Sequence, residues 1–259
     1  MKQIRFIYNY ILHFLTARNT KGYGVHSPFL FQLVRFVIYD KSPYYIFPEI
    51  EKLRQNLKKD KRILHVEDFG TSKSRGRKLS EICTHSLKQA KYAQLLYRIV
   101  NFNKAQNVLE LGTSLGLTTS YLASPSSKIH CVTLEGSLEI AAVAKENFEK
   151  LQITNINIVT GNINNTLTQV LAEFEQLDFV FIDANHRLSA TYDYFEKCVT
   201  KIHEKSVIVI DDIYWSDDMK QAWRLIKSHP KVKSTFDLFH LGIVFFNTDL
   251  NKTHYKMRY

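Results

Sequence analysis

From about Tyr92 onward the chain alternates short apolar runs with stretches of helical periodicity, and this alternation leaves few folds open. The runs Asn107–Leu111, Ile129–Leu134, Ile156–Thr160, Phe179–Asp183 and Val207–Ile210 are rich in Val, Ile, Leu and Phe, as strands covered on both faces must be. Helical patterns such as Leu138–Leu151 and Ser189–His203 lie between them. Strands joined in this way are parallel, so the class is α/β with a doubly wound sheet. Near the end, Thr235–Phe239 and Gly242–Phe246 stand too close together for a crossover helix and are expected to form an antiparallel hairpin.

A length of 259 residues leaves room for one such domain with a smaller accessory region, and not for two catalytic domains. The expected division places a basic, mainly helical accessory or substrate region at 1–87 and the catalytic domain at 88–259. Lys and Arg outnumber Asp and Glu by 17 to 7 over residues 1–90 and equal them, 18 to 18, over 91–259, so the net charge of +10 sits in the first part. Either this is a solvated basic surface or it faces something anionic: lipid headgroups, nucleic acid or a charged substrate. The opening MKQIRFIYNYILHFLTA reads as an amphipathic helix with Phe6, Tyr10, Phe14, Ile7 and Ile11 along one side. It is too short and too polar to span a bilayer, and Asn9 and His13 interrupt it where a signal peptide would be apolar.

GVHSPFLFQLVRFVI reads as a loop entering a helix at Ser27-Pro28, ILHVEDFG as a short strand and TSKSRGRK as a basic loop. Cys83, Cys131 and Cys198 are scattered, odd in number and without C-x-x-C spacing, for which a reducing cytoplasm is the simplest setting. An oligomer is compatible with all of these features.

The most informative segment is NVLELGTSLGLTTSYLA, residues 107–123: a strand, an acid, a glycine turn and a helix. Gly112 and Gly116, flanking Thr113 and Ser114, give the turn its backbone freedom, and the helix start offers amide donors. A pyrophosphate site would have G-x-G-x-x-G, whereas here the spacing is G-x-x-x-G and Glu110 would repel a phosphate. An amino acid bearing a sulfonium fits better. Glu135-Gly136 ends the next strand, where a carboxylate can accept both ribose hydroxyls, and Gly161-Asn162 after the third can offer an amide to an adenine edge. Each feature alone is a weak signal; their order along successive strand ends is the strong one.

E-L-G-T-S-L-G, T-L-E-G, D-F-V-F-I-D-A-N-H and V-I-V-I-D-D-I-Y-W resemble the successive motifs of class I methyltransferases, most closely the catechol and caffeoyl-CoA type O-methyltransferases, over about residues 88–248. GVHSPFLF, LLYRIV and DDIYWS also resemble bacterial proteins described only as class I methyltransferases. The resemblance implies a seven-stranded Rossmann-like sheet, S-adenosylmethionine as cofactor, and Glu110, Gly112, Ser114 and Glu135 lining its pocket. HVEDFGTS at 65–72 mimics the cofactor turn but runs into a basic loop without the second glycine, and is read as a decoy.

Methyl transfer needs an aligned, deprotonated acceptor more than covalent chemistry. Asp183, Asp211 and Asp212 stand at strand ends that share one rim in such a fold. In the resembled enzymes the equivalent acids hold a divalent cation such as Mg2+; the other reading has Asp183 touching the cofactor or capping a helix, and Asp211-Asp212 capping the helix near Met219. D-A-N-H stands where the resembled enzymes have D-A-D-K, so His186 occupies the place of a proposed lysine base and serves either as base or in positioning alone. Tyr214 and Trp215 are placed to flank a planar acceptor, or belong to the core or a lid. The leading reading is O-methylation of a small molecule. The alternatives are a methyltransferase acting on RNA or another polyanion, and a non-catalytic cofactor-binding protein.

Overall fold

A computed structural model describes residues 2–68 and 73–259. Contacts divide the chain into two compact units, one of residues 1–40 with 175–259 and one of residues 41–174.

The first part of the first unit is helical. Helix α1 spans Lys2–Thr16, and α2, Pro28–Leu33, begins where expected: the Ser27 side chain accepts from the Leu30 amide and Pro28 occupies the first turn, where no amide is needed. A π-helical turn, Val34–Ile38, continues it.

The second unit opens with α3, Ile46–Leu57, whose Ile46, Phe47, Ile50, Leu53 and Leu57 enter a core shared with Leu115, Leu117 and Tyr121. Strands β1, Ile63–Asp68, and β2, Lys73–Lys78, pair antiparallel from Ile63 opposite Lys78 to Asp68 opposite Lys73. The basic stretch expected to be a loop is thus largely a strand. Its polar residues give no apolar alternation to announce it, and strand pairing comes from its neighbour instead. The decoy motif accordingly begins in a hairpin strand; its residues 69–72 lie outside the described residues. Helices α4, Leu79–His85, and α5, Ala90–Asn103, lead to β3, Asn107–Leu111, then α6, Leu117–Ala123, β4, His130–Glu135, α7, Leu138–Lys150, β5, Ile156–Thr160, and α8, Ile163–Glu173. Strand β4 lies between β3 and β5, parallel to both. Ser137 caps α7 through the Ile140 amide, and Asn162 caps α8 through the Asn164 amide.

The first unit resumes with β6, Leu177–Ile182, α9, Leu188–Val199, β7, Ile202–Asp211, α10, Asp217–Ser228, β8, Ser234–Asp237, β9, Leu241–Phe245, and β10, Thr253–Lys256. Strand β7 is parallel to β6 and antiparallel to β9; β8 and β9 form the expected hairpin. Three sequence expectations are corrected. Ile202-His203 belong to β7 rather than to the end of α9, because the exposed start of that strand, IHEK, lacks the apolar run of its buried end. Helix α10 is capped by Ser216, which accepts from the Met219 amide, and not by Asp211-Asp212. The strands that follow the hairpin β1–β2 number eight rather than seven, since the short β10 pairs parallel to β8.

Candidate active site

In the second unit the acids and glycines of the nucleotide motifs meet at the carboxyl ends of β3 and β4. Gly112 (φ +104°) and Gly116 (φ +77°) take backbone angles that side chains resist. A Cβ on Gly116 would also lie 2.5 Å from the Phe148 ring, so glycine there lets α7 pack against the start of α6. The Gly112 and Thr113 amides both donate to the Leu134 carbonyl, at 3.0 and 3.2 Å, which ties the turn to β4.

Glu110 is fully buried, and its Oε2 accepts from the hydroxyls of Thr119 and, at 2.7 Å, Thr133. It joins β3, α6 and β4 beneath the turn. Glu135 is placed differently, half-buried at the strand end: Oε2 accepts from the Ser114 amide at 2.9 Å and Oε1 from the Ser137 amide at 3.0 Å. Burial raises this carboxyl above its ordinary 4.5, while the amides of Ser137, Ser114 and Gly136 pull it back. The carboxylate keeps acceptor capacity beyond these amides for a ligand hydroxyl. Ser114 itself is left-handed (φ +49°), the bend that turns its amide onto Glu135. Asn162 spends its side chain on the α8 cap. Leu138, exposed at the start of α7 beside Glu135, is an apolar surface that sequence reading passed over as an ordinary helical residue.

In the first unit, Asp183 follows β6 and lies 3.4 Å from the His186 Nε2; both side chains are half-buried. Asn185 (φ +68°) and His186 (φ +43°) are left-handed, so a strained bend brings the imidazole back onto the acid three residues before it. The two members of the acidic pair differ in burial. Asp211 is buried at the end of β7, opposite Leu241, whereas Asp212 is left-handed, donates its amide to the His240 carbonyl at 2.7 Å and sets its carboxylate 3.9 Å from the His240 ring. Among the described residues no three His, Cys, Asp or Glu side chains gather to hold a metal ion. Asp183 follows β6, and Asp211 and Asp212 stand at the end of β7, the strand that pairs parallel with it.

Tyr214 is also more constrained than expected. Its hydroxyl donates to Asp237 Oδ2 at 2.7 Å and its ring stacks on Phe239 at 5.0 Å. The other Asp237 oxygen accepts from His13 Nε2 at 2.9 Å and the Phe239 amide at 3.1 Å. Burial pushes the Asp237 carboxyl up, but the His13 bond and charge, with the Tyr214 and Phe239 donors, outweigh it and leave the group below its ordinary value. Burial, and then the Asp237 charge, raise the Tyr214 phenol. Neither His13 nor Asp237 was read as a site residue in sequence; His13 was noted there only as a polar interruption of an apolar helix. Trp215, by contrast, is exposed. A cavity of about 660 Å3 opens here, lined by Tyr214, Trp215, Phe6, Arg5, Asp218 and Lys220.

This succession of parallel strands, crossover helices, strand-end acids and a terminal antiparallel hairpin defines the class I methyltransferase fold. Residues 109–213 match the family model described as a methyltransferase domain. The chain is 32% identical over 128 residues to a catechol O-methyltransferase of Niastella koreensis, covering 48% of this chain and 56% of that one, and 30% identical over 131 residues to an O-methyltransferase of Aspergillus flavus, covering 48% and 51%. It thus spans about half the length of these curated relatives. A solved O-methyltransferase of Bacillus cereus, in complex with S-adenosylhomocysteine (SAH), superposes with a TM-score of 0.56 at 22% identity, over 81% of this chain and 94% of that one. The fold is thus shared with solved O-methyltransferases, and the methyltransferase-domain match falls on residues 109–213.

Proposed function

We propose that this protein is an S-adenosylmethionine-dependent O-methyltransferase of a small-molecule acceptor, with residues 88–259 as its catalytic part and residues 1–87 as an accessory region. The observation that carries this reading is Glu135, a half-buried carboxylate whose two oxygens are aimed by the Ser114 and Ser137 amides beside a turn made by Gly112 and Gly116. Such a carboxylate is prepared for a diol; Gly112, Thr113, Ser114, Gly116 and Gly136 bring backbone close to the rest of the ligand, Asn162 borders its base, and Glu110 keeps the turn in shape. Bound there, S-adenosylmethionine supplies a methyl group made electrophilic by its sulfonium.

His186 and Asp183 serve the acceptor. An imidazole that gives its Nε2–H to Asp183 has its lone pair on Nδ1, from which it takes the hydroxyl proton as the oxygen attacks. Asp183 holds the ring's orientation and stabilises the positive charge that follows. The cavity beside Tyr214 and Trp215, lined by aromatic rings and by Arg5 and Lys220 with the Asp217 that pairs with both, suits a planar acceptor with polar substituents. The free, buried Cys83, Cys131 and Cys198 agree with a reducing cytoplasm.

Titration calorimetry with SAH tests the reading. Heat of binding is expected, and Glu135→Ala should weaken the affinity about 10- to 100-fold, as the loss of hydrogen bonds to a charged group does. A folded protein that releases no heat, or a variant that binds equally well, overturns it.

A further inference from the structure

Helix α1 is apolar on two faces. Phe6 packs on Phe239 at 5.2 Å and His13 reaches Asp237, with Ala17 buried just beyond the helix end. Opposite them, at spacings of four, three and four residues, Ile4, Tyr8, Ile11 and Leu15 form a stripe that is 73, 64, 52 and 70% exposed, flanked by the exposed Ile7 and Leu12. The sequence expectation that Ile7 and Ile11 lie along one side with Phe6 is therefore corrected: they belong to the outer face. A stripe of large aliphatic side chains on a surface helix calls for a cover.

The charge around it says which. Residues 1–39 contain five Lys or Arg and no Asp or Glu. Arg18 and Lys21 are exposed just past the end of α1, and Arg35 stands exposed beside Phe36, itself an exposed apolar residue. A second copy on this stripe would meet it about a two-fold axis, bringing like charges together with no acid from this segment to answer them. Arg5 is paired with Asp217, and an anionic surface answers the exposed Arg18, Lys21 and Arg35. Among the described residues no helix is long and apolar enough to cross a membrane. A short helix with an aliphatic face beside basic side chains has the composition of one that lies in the plane of a lipid surface.

We propose that the outer face of α1, Ile4, Tyr8, Ile11 and Leu15, docks on the headgroup and acyl boundary of an anionic bilayer, with Arg18, Lys21 and Arg35 on the lipid phosphates. The inner face stays on Phe239 and Asp237, so docking requires no unfolding of the helix. The inference is independent of the methyltransferase reading, since it needs neither cofactor nor acceptor.

Flotation of the full chain with vesicles of phosphatidylcholine, and of phosphatidylcholine doped with phosphatidylglycerol, tests it. The protein should float with the anionic vesicles alone, and the bound fraction should fall as salt rises. The triple variant Ile4→Ser, Ile11→Ser, Leu15→Ser should bind at least ~10-fold more weakly with an unchanged melting temperature, because these side chains are exposed in the folded protein. Arg18→Ser with Lys21→Ser should weaken binding and flatten its salt dependence, providing a second variant should the first not fold. The proposal fails if the folded protein does not float with anionic vesicles at low salt, if the triple variant floats undiminished, or if light scattering shows a dimer that the triple variant converts to monomer.

Discussion

The carboxyl ends of β3 and β4 in one unit, and the ends of β7 and β8 in the other, both converge acids at the rim of a sheet, but they hold them by different means. Glu135 is held by backbone: amides two residues on, at Ser137, and in the adjoining turn, at Ser114. Asp237 is held mainly by side chains, His13, Tyr214 and Trp223, drawn from three separate elements, with His13 lying 224 positions earlier in the chain. A backbone cradle tolerates most changes of side chain and survives as a recognisable motif. A side-chain cradle depends on each partner and leaves little local trace.

The largest effect expected from this contrast is on stability. Asp237→Ala removes the shared acceptor of a buried histidine, phenol and indole, and should cost about 3–5 kcal/mol in urea denaturation. A loss below about 1 kcal/mol would show that the network is dispensable and remove the distinction between the two rims. Next in size is Gly116→Ala, which places a side chain at φ +77° against the Phe148 ring. About 2 kcal/mol of stability should be lost, together with most SAH binding, by the same denaturation and calorimetry. If affinity survives intact, the turn is not part of the ligand's cradle.

The smallest effect is a pH dependence. Burial raises the Glu135 carboxyl above 4.5, so as pH falls toward that raised value the group takes up a proton and loses acceptor capacity. SAH affinity should therefore weaken on acidification at a pH above the 4.5 of an ordinary glutamate, and Glu135→Gln should abolish this dependence while leaving the fold intact. The same acid dependence in the variant would assign the titration to another group.

Much of the architecture was legible because it rests on local, repeating signals. Asn107–Leu111 and Ile156–Thr160 are strands at the expected bounds, and the hairpin of β8 and β9 follows from two β-type runs with no space for a helix. Where the local signal was weak the reading failed. The basic β2 shows no apolar alternation, β10 is four residues long, and the polar start of β7 was taken into the preceding helix. The site divides in the same way. That Glu110 and Glu135 lie on β3 and β4 and that Gly112 and Gly116 make a turn was legible, but that Glu110 lies sealed beneath the turn while Glu135 stands at its rim depends on where Thr119 and Thr133 fall in space.

By itself, the sequence determined the alternation of the buried strands with helices from β3 onward, the glycine turn with its two acids, and the excess of cations in the first ninety residues, since periodicity, backbone freedom and formal charge are properties of neighbouring residues. Only the tertiary structure decided that Asp211 is buried while Asp212 is half-buried, that Tyr214 is anchored to Asp237, and that α1 packs Phe6 and buries His13 while leaving Ile4, Tyr8, Ile11 and Leu15 outside. Side-chain direction and burial are set by what distant segments bring to the same place, and a single line of residues does not record which segments those are.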